Sequence, residues 1–328
     1  MKHQDALISI LVHSAGGNSK LSSDLVDILS MSKDAVYRRL RLETAFSWDE
    51  VIKMANHYKL SLDGFLNEKL NSVSFERSPF IDKPLAFMEY LKRSLTELEI
   101  LSGREDAHLV YSAKDIPIFY QFGYEKMARF KMRTWMHSLY SFNLHDRSFE
   151  SAVNDEMLQL AKKLHQIYVR IPCTEIWNET SIQSLINQMW YYFEAGLLSL
   201  EESFEIINEC RNMLMRINAE AEMGSRSTPQ DIHTPSYTKF EMYYQDILLM
   251  DNHILLRLES QSRLFLSWGG LNFIRTEDPK MVSDMERYLE GQYKRSTLIS
   301  RVSEKERNRW KRLAFEKLDK LERKIQSE

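Results

Sequence analysis

The sequence predicts a mainly α protein in two units: a small five-helix domain at the N-terminus, then a large, mostly helical domain carrying a small β-hairpin or sheet element. Three observations carry this expectation. The chain has 328 residues, more than one domain ordinarily holds. Its 10 glycines and 7 prolines are few for that length. Long amphipathic stretches rich in Leu, Met, Glu and Lys recur along it.

Residues 5 to 67 read as five short helices. The first runs from a cap at Asp5 to His13 and is closed by Gly16 and Gly17. The second starts near Ser22 or Ser23 and carries Leu25, Val26 and Leu29 at helical spacing. Ser30 and Met31 form a corner, and Ser32 caps a third helix whose Val36 and Leu40 face inward. Lys33, Asp34, Tyr37, Arg38 and Arg41 then occupy its other faces. Ser47-Trp48-Asp49-Glu50 fits a capping box and opens a fourth helix with the stripe Val51, Met54, Ala55 and Tyr58. Ser61 caps a fifth, bearing Leu62, Phe65 and Leu66.

The spacing of Leu25, Val26, Leu29, the Ser30-Met31 corner, Ser32 and Val36, followed by WDEVIKMANHYKLSLDGFL, resembles the helix-turn-helix domain of the XRE, or lambda-repressor-like, bacterial regulators. The resemblance covers about the first 70 residues, and what it implies is a docking mode. The third helix, residues 32–42, would lie in the major groove of double-stranded DNA. Ser32, Lys33, Asp34, Tyr37 and Arg38 would stand at or near base edges, with Arg41 on the backbone. Ser22 and Ser23 would meet phosphate through their hydroxyls and free backbone N–H groups. Two positions depart from the family pattern: Ser30 stands where glycine is usual, and Arg39 where an apolar residue is usual. The second departure leaves the rotation of the third helix open. Basic residues at Lys33, Arg38, Arg39 and Arg41 also fit the solvated face of an ordinary helix.

Residues 71–83 read as a linker, and residues 84–328 as a helical regulatory and dimerisation domain. Helices are expected over 84–102, 124–142, 149–170, 175–196, 200–222, 279–293 and 303–325, with short strands near 109–122 and 253–275. Residues 224–236 read as a loop. The last helix combines 10 Lys and Arg with 6 Asp and Glu over residues 301–328 and an apolar stripe from Trp310 to Ile325. It suits docking on its own domain or pairing with a second copy better than a second nucleic-acid patch. Phrases such as AKDIPIFYQF and STLISRVSEKERNRW in this region also resemble those of regulators that join an XRE-type domain to a long helical region.

Several function classes are disfavoured. The start of the chain lacks the continuous apolar run of a signal peptide, and no stretch of 18 uncharged apolar residues offers a membrane span. Cys173 and Cys210 are far apart and outside any CxxC, as expected of reduced core cysteines in a cytoplasmic protein. A net charge of -3 confines any nucleic-acid contact to a local patch. No phosphate-loop, dinucleotide, nucleophile-elbow or zinc-protease motif occurs, so no enzyme, cofactor or metal is expected. Asp115, His137 and His145 read as structural or surface groups, and the aromatic runs 190–193 and 240–244 as core more than pocket.

The expected function is a sequence-specific transcription regulator that binds an operator as a homodimer. One alternative is a regulator whose helical domain receives a peptide or small-molecule effector; another is a helical interaction scaffold that has lost DNA binding.

Overall fold

The chain divides into two units, residues 1–74 and 75–328. The computed structural model describes residues 2–58, 60, 62, 73–81, 83–140, 153–226, 238–247 and 249–328.

In the first unit α1 (Lys2–Ala15), α2 (Asn18–Leu29), α3 (Lys33–Leu40) and α4 (Trp48–Tyr58) enclose one small core. Leu7, Leu11 and Ala15 of α1 meet Leu21, Leu25 and Leu29 of α2, each set repeating at i, i+4 and i+8 along one stripe. Val36 of α3 and Met54 of α4 complete it. Gly16 and Gly17, at φ +79° and +128°, turn the chain within two residues, so α2 begins at Asn18. That is a full turn ahead of the start expected at Ser22 or Ser23. The fifth helix expected from Ser61 lies outside the described residues, apart from Leu62.

The second unit overturns the expectation of a mainly α domain with a small hairpin, and with it any all-α description of the protein. It is mixed α/β and built on a sheet that has nine strands among the described residues. In chain order its elements are β1 (Glu76–Arg77), α5 (Pro84–Ser102), β2 (His108–Ala113), α6 (Ile118–Gln121), α7 (Glu125–Tyr140), α8 (Asp155–Tyr168), β3 (Cys173–Asn178), α9 (Gln183–Glu194), α10 (Leu200–Met223), β4 (Ser225–Arg226), β5 (Thr238–Gln245), β6 (His253–Arg257), β7 (Arg263–Ser267), β8 (Phe273–Thr276), α11 (Pro279–Lys294), β9 (Thr297–Leu298) and α12 (Glu304–Gln326). The strands lie in the order β1-β8-β7-β6-β2-β3-β5-β4, with β9 also beside β5. β2, β3 and β5 run parallel, joined through helical crossovers, and the remaining pairs are antiparallel.

Alternation along the strands explains the layers. Leu109, Tyr111, Ala113, Cys173, Trp177, Phe240, Met242 and Tyr244 point to one face, where α5 to α10 and α12 cover them. Val110, Ile176, Leu255 and Leu264 point to the other, against Val282, Met285 and Leu289 of α11. Covered on both faces, β3 is buried at all its positions, so its sequence CTEIWN shows no alternation. The helix expected from residue 175 therefore begins only at Gln183. Residues 76 and 77 of the expected linker pair with β8 in the sheet.

Trp310, Ala314, Leu318, Leu321 and Ile325 of α12 pack into this unit's own core. Arg211 of α10 reaches Asp319 and Glu322, and Lys324 sits 3.3 Å above the Trp190 ring. Among the described residues, no helix is long and apolar enough to cross a membrane.

Candidate functional site

The face of α3 follows from its rotation, and three contacts fix that rotation. Ser30 takes the left-handed conformation, φ 52° and ψ 46°, and Met31 donates its backbone N–H to the Val26 carbonyl at 3.2 Å. Ser32 then caps α3 by accepting the Ala35 N–H at 3.3 Å. Arg39 donates to both oxygens of Glu50 at 3.0 Å each, with the two side chains 17% and 12% exposed. Glu50 belongs to the capping box of α4: it accepts the Ser47 N–H at 2.9 Å while the Ser47 hydroxyl accepts the Glu50 N–H. The arginine at the usually apolar position thus clamps α3 to the start of α4.

Gln4 of α1 adds a fourth restraint, one that the sequence pattern does not reveal. Its amide donates to the Arg39 and Thr44 carbonyls, both at 2.9 Å, and its carbonyl accepts the Phe46 N–H. A glutamine near the start of a helix carries no sequence signal for such a role, because its partners lie about forty residues on.

At about 100° per residue, Lys33, Asp34, Tyr37, Arg38 and Arg41 fall within an arc of about 140°, and Ala35, Val36, Arg39 and Leu40 fill the opposite side. The five outward residues are exposed and Val36 is fully buried. Asp34 holds Arg38 at 3.3 Å across one turn, and Arg41 lies 5.8 Å over the Tyr37 ring. These contacts are solvent-facing and cheap to exchange for others.

The two serines expected at the start of α2 separate. Ser22 is buried and donates its hydroxyl to the Ser19 carbonyl, so it faces away from any phosphate; Ser23 remains exposed. Both lie inside the helix, four and five residues past its first, so the free N–H groups expected there belong instead to the turn after Gly17.

The second unit holds a polar cluster in its core. Glu175 on β3 and Arg226 on β4 are both fully buried and 3.6 Å apart. Glu175 Oε1 accepts from the Tyr120 and Tyr168 hydroxyls at 2.9 and 2.7 Å, and Oε2 accepts from Trp177 Nε1 at 2.7 Å. Arg226 donates to the Ile171 and Tyr168 carbonyls and lies over the rings of Tyr168 and Phe240. Burial, reinforced by the Glu175 charge, pushes the Tyr120 hydroxyl and the Cys173 thiol up, so both keep their protons. Among the described residues all the polar atoms of this cluster but Arg226 Nε find partners within the packed core, an arrangement that suits structure more than turnover.

A larger opening lies on the same side of the sheet. A cavity of about 290 Å³ separates α5 from the antiparallel strands, with Tyr90, Leu98, Tyr111, Tyr168, Phe265 and Phe273 among its walls. Glu76, Arg77, Arg93, Glu97 and Arg275 also line it. None of these residues was singled out from sequence, since they come from six elements spread over two hundred positions. The aromatic runs that were singled out lie elsewhere: Tyr192 bonds His137 at 2.7 Å, and Phe240 and Tyr244 are core. Asp115 is tied to Asn252 at 3.2 Å, and His145 lies outside the described residues. Among the described residues no three His, Cys, Asp or Glu side chains are placed to hold a metal ion.

Comparison with known protein families, with curated proteins and with solved structures finds no match to this chain.

Proposed function

We propose that the chain is a sequence-specific transcription regulator that binds double-stranded DNA through α3, as a homodimer on two half-sites. The observation that carries this reading is the Arg39–Glu50 clamp. It supports a fixed rotation of α3 in which Lys33, Asp34, Tyr37, Arg38 and Arg41 form one outward face behind a tight turn. In this reading Arg38 leaves Asp34 for a guanine edge, an exchange favoured because the exposed pair is worth about 0–1 kcal/mol and a bidentate guanine contact about 1–3 kcal/mol. Lys33 and Arg41 supply phosphate contacts, and the short basic face makes affinity modest and salt-dependent for one copy. A second copy, about one helical turn away, supplies the rest.

The test is selection of bound fragments from a random duplex pool at two salt concentrations, run beside an Arg38→Ala/Lys33→Ala variant. An enriched inverted repeat that the variant fails to enrich is the expected outcome. Weak, salt-labile retention that is equal in both proteins and enriches no sequence would overturn the reading.

A further inference from the structure

The cavity beside α5 stands independently of DNA binding, and its walls and rim differ in character. The walls are aromatic and branched aliphatic side chains from α5, α6, α8, β2, β6, β7 and β8. A space of about 290 Å³ approaches the size of small-molecule sites and is far larger than packing defects in ordinary cores. Left empty, it forfeits dispersion contacts along every wall.

The rim decides the sign of the ligand. Arg275 is satisfied by two carboxylates, Glu76 at 2.7 Å and Glu97 at 3.8 Å, and this uses both acids that line the cavity. Arg93 and Arg77 have no carboxylate within 4.0 Å among the described residues. Among the described residues, three guanidiniums against two carboxylates leave an excess positive charge at the opening. Tyr111, on the cavity wall, makes no hydrogen bond among the described residues, and burial pushes its hydroxyl up, so it is available as a donor. An apolar chamber with the Tyr111 donor in its wall and, among the described residues, a cation without a carboxylate partner at its mouth matches a molecule with an apolar body and one negative end.

We infer that this cavity binds a small amphipathic monocarboxylate, its apolar body between α5 and the sheet and its carboxylate at Arg93. Binding to the full chain is measured by titration calorimetry with decanoate, decanol and decyltrimethylammonium, which share a chain and differ in charge. Decanoate is expected to saturate at one per chain, with decanol at least tenfold weaker and the cation weaker still. Arg93→Gln, a rim change compatible with helix, is expected to weaken decanoate about tenfold and leave decanol unchanged. Leu98→Trp, which fills the chamber, is expected to weaken both. The inference is overturned by the absence of saturable decanoate binding, by cation binding as tight as that of decanoate, or by an Arg93→Gln protein that binds decanoate as the parent does.

Discussion

The clamp between Arg39 and Glu50 can be tested by a double-mutant cycle that leaves the surrounding structure in place. Arg39→Met keeps the apolar stem packed against α4 and removes the charge, while Glu50→Gln keeps a Ser-x-x-Gln capping box. With both contacts at 3.0 Å, the charge centres lie about 4 Å apart, and an effective dielectric near 20 gives a gross attraction of about 4 kcal/mol. Removing water from two side chains that are 17% and 12% exposed offsets about half of that, leaving a coupling of about 2 kcal/mol. Either single substitution should then lower the opening free energy of α3 by about 2 kcal/mol, and the double variant should lose little more. Hydrogen exchange of α3 and α4 peptides in the full chain reads this directly. A coupling at or below about 0.5 kcal/mol, the size found for exposed pairs, would refute the claim that this contact sets the rotation of α3.

Two further outcomes follow from single positions. Ser30, held at φ 52°, should gain about 0.5–1 kcal/mol on Ser30→Gly, read as slower exchange in α2 and α3, whereas Ser30→Val should lose more than that. His165 is buried, donates its Nδ1–H to the Phe119 carbonyl 2.9 Å away, and leaves Nε2 without a partner among the described residues. Burial, together with the Arg216 charge, pushes it down to about 4. The folded form therefore binds fewer protons than the unfolded chain between the ordinary value of 6.5 and about 4, so its contribution is full above pH 6.5 and is lost as pH falls towards 4. Denaturant titrations across that window should show a loss of about 3 kcal/mol from this group, which His165→Gln removes from the slope.

Local chemistry was readable where the partners are near in sequence. The capping box at Ser47 and Glu50 and the cap at Ser32 are four-residue patterns, and both are present. So is the stripe of α12, whose apolar residues repeat every three or four positions. The outward face of α3 was readable as a set of residues, while its rotation was not, because Arg39 takes its meaning from Glu50 eleven residues on and from Gln4 thirty-five residues back.

By itself the sequence determined the α-helices with strong periodicity, the caps at Ser32 and Ser47, and the antiparallel strands near 253–276, where short turns bring neighbours together. Only the tertiary structure decided that these elements gather on a mixed sheet. A helix makes its hydrogen bonds within its own segment, so its signature is local. Each residue of β3 instead bonds to strands more than sixty residues away on either side, and with both faces covered it loses the alternation that marks a strand. Glu175 completes the disguise: a charge at the centre of CTEIWN reads as helix surface, and it can be buried only because Arg226 and the Tyr120 hydroxyl arrive from elements about fifty residues away, beside Tyr168 of the preceding helix, to satisfy it.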